Sequence, residues 1–142
     1  MARDLLDVNV WLALAHPGHT HHLAAKDYWQ NCAEPMAFCR TTMQGFLRLV
    51  TQPAVMGAAV HSAAEAWLIY NAHLASGRVQ FVAEPASLEA QWRAVTLRAD
   101  FAQRDWTDAY LASFAMAAGC RLVSFDKGFA QYDGLEFLQL KV

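Results

Sequence analysis

No apolar run in this sequence approaches the roughly eighteen residues that a membrane-spanning helix needs. The first residues lack the basic start and small-residue cleavage site of a secretory leader, so the expected location is the cytoplasm. Cysteine is scarce: Cys32, Cys39 and Cys120 are odd in number, widely spaced and without a C-x-x-C pair. That pattern excludes a disulfide framework and reads as small core residues in a reducing compartment. Positive charge is not in excess either, since the formal net charge is -2. A global attraction to nucleic acid is therefore absent, although net charge hides any cluster of cation-binding acids beside a local basic rim. Internal repeats, low-complexity tracts and linkers are missing as well. With 142 residues, the chain is expected to form a single domain over residues 1–142 with one proper core.

What the sequence does have is apolar material, at 56% hydrophobic against 17% charged residues. This predicts a well-filled core and an apolar surface that a partner covers. The stretch from Leu5 to Leu14, LLDVNVWLAL, organises the rest. Asp7 stands where a buried strand should end and Asn9 where a helix could begin. An ionised carboxylate at such a place is costly unless it is paired, hydrogen-bonded or bound to a metal.

Further along, Pro17 and Gly18 mark a turn, and Thr20 is the expected cap of a helix running to about Ala33. Met36 to Arg40 reads as a second strand. Thr41 or Thr42 then caps a helix whose Phe46, Leu47 and Val50 fall at helical spacing, with Pro53 ending it. Gly45 inside that helix suggests a close backbone approach, because a helix-interior glycine otherwise costs about 1 kcal/mol relative to alanine. An alanine-rich helix is expected from His61 to about Ser76, with Ala64, Trp67, Leu68 and Leu74 on one face. Val79 to Val82 is a third strand, Pro85 opens a helix through Leu97, and a last helix runs from about Asp105 to Ala118 and stops at Gly119. Strands at Arg121 to Phe125 and near Glu136 to Leu140 close the chain. Apolar strands alternating with helices predict an α/β fold, a mostly parallel sheet sandwiched between helical layers.

In such a fold, strand C-termini and helix N-termini share one edge of the sheet, where ligands bind. Asp7 and Asp126 end strands, while Asp108 and Gln44 lie in the first turns of helices. All four are expected at that edge. Crowded carboxylates repel, and a hard divalent cation with oxygen ligands, Mg²⁺ or Mn²⁺, offsets the repulsion. Such a cation polarises a phosphodiester and activates a water. Each member also has a purely structural reading: Asp105 and Asp108 as N-cap and N3 of a capping box, Asp126-Lys127-Gly128 as a post-strand turn, Asn9 as a cap, and Asp7 as an acceptor for backbone N–H groups.

With those residues in view, the chain resembles the PIN-domain ribonucleases, in particular the VapC-type toxins of bacterial toxin-antitoxin pairs. The resemblance rests on LLDVNVWLAL, CRTTMQGFLRLVTQPAVMG from Cys39, WTDAYLASFAMAAG from Trp106 and LVSFDKGF from Leu122. It implies a PIN-like three-layer sandwich and Mg²⁺- or Mn²⁺-dependent endonucleolytic hydrolysis of RNA by a metal-activated water. It also implies Asp7, Asp108 and Asp126 as metal-binding acids, Asn9 and Ser124 as small polar residues beside the site, and a VapB-like antitoxin as partner. One departure stands out. The family commonly carries a glutamate in the helix after the second strand, where this chain has Gln44, which assists without contributing charge.

His16, His19, His21 and His22 crowd one turn without the paired spacing of a structural zinc site. They are expected to form a polar rim, with His19 and His22 as possible RNA contacts, or simply a solvated turn. His61 and His73 are expected at the surface. Arg40, Arg48, Arg98, Arg104 and Lys127 are candidates for phosphate contacts, of which Arg40, Arg104 and Lys127 lie nearest the acids in sequence. The five tryptophans are expected mostly in the core, with homodimerisation and an antitoxin docked in a groove as further uses of apolar surface. Two rival functions remain on sequence grounds. Asp7 as a covalent aspartyl-phosphate nucleophile would ordinarily want a second acid two residues on, where Asn9 stands. A catalytically silent RNA- or antitoxin-binding module would account for Gln44.

Overall fold

The computed structural model describes residues 2–141 and has a five-stranded sheet at its centre. Chain order is β1 (Arg3–Leu6), α1 (Val8–Ala15), α2 (His22–Asn31), β2 (Met36–Phe38), α3 (Arg40–Val50), α4 (Pro53–Met56), α5 (Ala63–Ala75), β3 (Val79–Phe81), α6 (Leu88–Thr96), α7 (Trp106–Ala118), β4 (Cys120–Ser124) and β5 (Phe137–Gln139). The strands lie in the order β3-β2-β1-β4-β5 and every pairing is parallel. The chain therefore winds outward from β1 through β2 to β3, then returns to the other side of β1 with β4. Loops leaving β1 and β4 diverge at that reversal, which opens a crevice at the C-terminal ends of the two strands.

Side chains alternate across the sheet and divide the core in two. Leu6, Phe38 and Val123 pack with α1, α3 and α5 through Val10, Trp11, Phe46 and Tyr70. On the opposite face, Leu5, Ala37 and Leu122 meet α6 and α7 through Leu88, Ala112 and Phe114. Strands covered on both sides cannot carry the alternating polar face of a half-exposed sheet, which is why they read as continuous apolar runs. No helix among the described residues is long and apolar enough to cross a membrane.

Several boundaries differ from expectation for local reasons. Arg40 opens α3 rather than closing β2. The Thr42 hydroxyl accepts from the Cys39 amide (3.0 Å) and donates to its carbonyl (3.1 Å), so the helix start is secured from its third residue. That places Gln44 in the second helical turn. Pro53 begins α4 at its first position instead of merely ending α3. Thr20 caps nothing, since α2 starts after His21 without a side-chain cap bond. The helix expected from Pro85 begins only at Leu88. A capping box of Ser62 and Glu65 starts α5.

The inward face of α5 is Ala66, Tyr70 and His73, and of the face expected only Leu74 packs against the core. Trp67 and Leu68 are left 49% and 68% exposed, because a helix apolar all round does not declare which side is buried. His73 packs edgewise against Trp11 and Trp29, and burial holds its imidazole below the ordinary value. Only Trp11 of the five tryptophans is fully buried, stacked on Phe38 at 3.9 Å and 10°. Gly45 does mark a close approach: a Cβ there would stand 2.8 Å from Val8 Cγ2, so α3 crosses α1 one residue from Asp7.

The opposite, N-terminal edge of the sheet holds a buried polar cluster absent from the sequence reading. Asp4, 1% exposed, accepts two hydrogen bonds from Arg121 (2.9 and 2.8 Å) and one from Tyr28 (2.5 Å). Asp4 and Arg121 are direct neighbours in the β1–β4 register.

Candidate active site

Asp7 follows β1 and serves as the N-cap of α1, its Oδ1 accepting from the Val8 amide at 2.8 Å. Its Oδ2 accepts from the Ser124 hydroxyl at 2.7 Å, which ties the end of β1 to the end of β4. Ser124 Oγ in turn accepts from Asn9 Nδ2 (3.1 Å) and from the Asp126 amide (3.0 Å). A single buried hydroxyl thus sets the relative positions of Asp7, Asn9 and Asp126. Asn9 is no helix cap. Its amide is committed to Ser124, and its carbonyl oxygen lies 3.4 Å from the Phe125 amide.

Asp126 keeps part of its structural role, since Oδ1 accepts from the Gly128 amide at 2.8 Å and opens the short 3₁₀ turn Lys127–Gln131. The acids at the start of α7 behave otherwise. Asp105 occupies the N-cap position and Asp108 the third helical position, yet Asp105 makes no side-chain cap bond and the capping box is not formed. Two acids placed where a box would normally tie them up face the crevice instead, Asp105 with its Oδ1 4.0 Å from Arg104 Nε. Asp105, Asp108 and Asp126 line one cavity of about 560 Å³ together with Asp100, Arg98 and Arg104. Its rim carries four carboxylates against two guanidinium groups, Arg98 pairing with Asp100 at 3.4 Å and Arg104 with Asp105 at 4.0 Å, which among the described residues leaves Asp108 and Asp126 without a cation.

The electrostatics follow from that crowding. Burial, and then the charges of Asp7, Asp126 and Asp105, push the Asp108 carboxyl up to about 6. Burial also raises Asp7; the bonds from Ser124 and Val8 oppose the rise and Asp126 adds to it. Asp108 thus feels three neighbouring carboxylates, and Asp7 feels Asp126. Among the described residues, no three His, Cys, Asp or Glu side chains close into a ready ligand shell. Asp7 and Asp126 each hold an oxygen on a backbone amide, and repulsion gives the remaining oxygens no reason to converge. The donor chemistry nevertheless fits a hard divalent cation, being all oxygen and overloaded with negative charge.

Other expected site residues fall at different distances from this centre. Gln44 is exposed and lines a neighbouring cavity of about 340 Å³ with Val8, Thr41, Gly45, Arg48 and Thr107. It borders the acids' immediate neighbours rather than the acids themselves. Arg104 lines the acidic cavity, as does Arg98, which donates to Gln131 at 2.5 Å. Arg40 lies over the Phe81 ring at 4.4 Å, and Lys127 is exposed on the turn; neither lines the acidic cavity. His22 Nδ1 is 2.7 Å from the Ala13 carbonyl and must donate to it, and His19 Nδ1 accepts from the His21 amide at 3.0 Å. Burial, then its three histidine neighbours, keeps the His19 imidazole below its ordinary value. The loop reaches toward the site through His21, whose ring stacks on Phe125, next to Asp126, at 4.5 Å. Asp105 is the acid that sequence reasoning assigned to capping alone. Its signal was the i, i+3 spacing to Asp108, which serves a capping box and a paired acid site equally well.

Comparison with known proteins agrees with this geometry. The PIN domain family model matches residues 5–135. Ribonuclease VapC41 of Mycobacterium tuberculosis is 45% identical over 138 residues, covering 93% of this chain and 94% of that protein. The crystal structure of M. tuberculosis VapC20, described as a sarcin-ricin loop cleaving toxin, superposes with a TM-score of 0.68 at 21% identity, covering 94% of this chain and 97% of that one. VapBC2 of Rickettsia felis, solved with a fragment of promoter DNA, gives 0.69 at 13% identity over 98% of this chain and 99% of that one. Those two likenesses establish the common fold, and the VapC41 identity reaches further. The sheet order, the reversal at β1 and β4, and the acids gathered there are therefore those of a chain that belongs to the PIN-domain family, among the VapC ribonucleases.

Proposed function

We propose that this chain, acting as one PIN domain, is an Mg²⁺- or Mn²⁺-dependent endoribonuclease of the VapC toxin class. The observation that carries the reading is Asp108, held at a helix start outside any capping box and repelled by Asp7, Asp126 and Asp105. Asp7, Asp108 and Asp126 would hold the cation, with Asp105 adding charge beside them. When bound, the cation supplies Lewis-acid chemistry: it polarises the phosphodiester and makes a water nucleophilic near neutral pH. Ser124 and Asn9 orient Asp7. Arg98 and Arg104 lower the field against an approaching phosphate. Gln44 acts from the adjoining cavity as a neutral contact. A phosphoaspartate mechanism is disfavoured, because the amide at Asn9 cannot act as a general acid and is already committed to Ser124.

The partners follow the same reading: an RNA substrate, a VapB-like antitoxin, and a second copy of this chain. Trp67 and Leu68, exposed on α5 beside Val60, are the apolar surface a homodimer would bury. Function in the cytoplasm, without a membrane, accords with the three unpaired thiols. Changing Asp7 to Asn is the direct test. Mg²⁺-stimulated RNA cleavage should vanish while circular dichroism stays that of the wild type, and full cleavage by the variant would overturn the assignment.

A further inference from the structure

Trp106 opens α7, directly after Asp105 and two residues before Asp108, and half of its surface is exposed. An indole so placed costs hydration unless something covers it. Its plane is held by edge contacts: Trp92 at 5.9 Å and 89°, and Phe101 at 5.0 Å and 71°. Trp92 is itself braced by Tyr110 at 5.1 Å and 80°. Trp11, by contrast, has a parallel partner inside the protein, Phe38. Among the described residues no ring lies parallel to Trp106. It is a braced aromatic plane whose stacking position is left to something outside the fold.

The surroundings say what that something is. Trp106 lines two cavities of about 340 Å³ each. One of them shares Thr41 and Thr107 with the cavity that holds Gln44 and Arg48 and begins at Val8, next to Asp7. Among the described residues Arg48 is in no salt bridge. Around Trp106 and the adjoining cavity, then, lie a cation with no partner charge, two hydroxyls and a flat aromatic surface beside the acids. That set of chemistries suits phosphate, ribose and base of a single-stranded nucleotide.

We propose that Trp106, braced by Trp92 and Phe101, is a stacking platform for one unpaired base of the RNA substrate near the cleaved bond. The inference rests on the ribonuclease reading and adds a subsite to it. Stacking on the indole face is indifferent to base identity, so this subsite favours unpaired over paired RNA rather than one sequence over another. A protein segment packed on the same face is the competing occupant.

The test pairs the Trp106→Ala and Trp106→Phe variants with a short single-stranded RNA carrying an abasic nucleotide at each position in turn. Base–aromatic stacking predicts a KM roughly tenfold higher for Trp106→Ala, with kcat nearly unchanged and Trp106→Phe close to wild type. At one position the abasic substitution should raise the wild-type KM by a similar factor and leave Trp106→Ala unaffected. Equal KM for the two proteins, or a Trp106→Ala defect that persists at every abasic position, overturns the platform, and the latter assigns the face to structure or to a protein partner. Should Trp106→Ala not fold, quenching of indole emission by the same RNA replaces it. More quenching in wild type than in Trp106→Phe supports the platform, and equal quenching overturns it. RNA quenching without any cleavage would defeat the ribonuclease reading while leaving the stacking site standing, whereas cleavage indifferent to Trp106 does the reverse.

Discussion

Asp4 and Asp7 stand at opposite edges of the same sheet, one turned toward a guanidinium and a phenol, the other toward more carboxylates. Both are carried by β1 or the residue after it, and both reach across to β4. At the Asp4 end the protein supplies the opposite charge itself, through Arg121. At the Asp7 end it supplies hydroxyl and amide donors to hold the group in place, then adds Asp108 and Asp126 around it, while Asp105 faces Arg104. A buried acid that completes its own charge balance is part of the framework. One that is oriented but left unbalanced, among others in the same condition, is poised for a cation from outside.

Exchanging the two residues' fates is the sharpest way to probe that contrast. Asp7→Asn should lower RNA cleavage by about a thousandfold, near 4 kcal/mol of barrier, with no loss of thermal stability. Asp4→Asn should do the opposite. It breaks a pair whose carboxylate is fully buried and whose guanidinium is 31% exposed, so a loss of about 2–3 kcal/mol and a Tm lower by roughly 8 °C are expected, with cleavage intact at low temperature. Cleavage that falls with Asp4→Asn while the protein stays folded would erase the distinction between the two edges.

A pH experiment reads the same difference more gently. The folded-state pKa of Asp108 is raised from the ordinary carboxylate range to about 6. Its protonated form is thus favoured by folding, and the associated stability is full below pH 4 and is lost as pH climbs through about 6. Without divalent cation, unfolding free energy should fall over that window by at most about 2 kcal/mol after solvent screening, and Asp108→Asn should flatten the slope. Millimolar Mg²⁺ should remove the loss by neutralising the cluster, and cleavage should rise over the same window. A slope unchanged in Asp108→Asn would place the charge burden elsewhere.

The smallest expected effect belongs to Gln44→Glu. A carboxylate in the adjoining cavity acts on the cation through solvent, so the Mg²⁺ concentration for half-maximal cleavage should drop only a few fold. No change at all would show that this position does not communicate with the acids.

The two edges also differ in how much of them the sequence discloses. Asp7 and Asp126 each follow an apolar strand directly, and a charge at a strand end is conspicuous. Gly119 and the glycine at the α1–α3 crossing were equally legible, because in both places backbone geometry or clearance leaves little room for another residue. Asp4 was hidden, since its partner lies 117 positions away and only the β1–β4 register makes Asp4 and Arg121 neighbours. Asp105 was ambiguous rather than hidden: helix capping and acid pairing ask for the same spacing, and only the missing cap bond separates them. The buried side of α5 was legible only at Leu74, because large apolar residues such as Trp67 and Tyr70 lie on more than one side of that helix.

The junction of β1 with β4 has a consequence for the life of the chain before it is complete. Asp7 is oriented by a hydroxyl that lies 117 residues downstream, and the acids of α7 and Asp126 also come late. A nascent polypeptide on the ribosome can build β1, β2 and β3 and still possess none of the geometry described at the crevice. Contacts of such long sequence separation are also slow to form. Synthesis therefore passes through the first 123 residues with the chemistry disassembled, and a cell making this protein meets the assembled site only after Ser124 and Asp126 have been added.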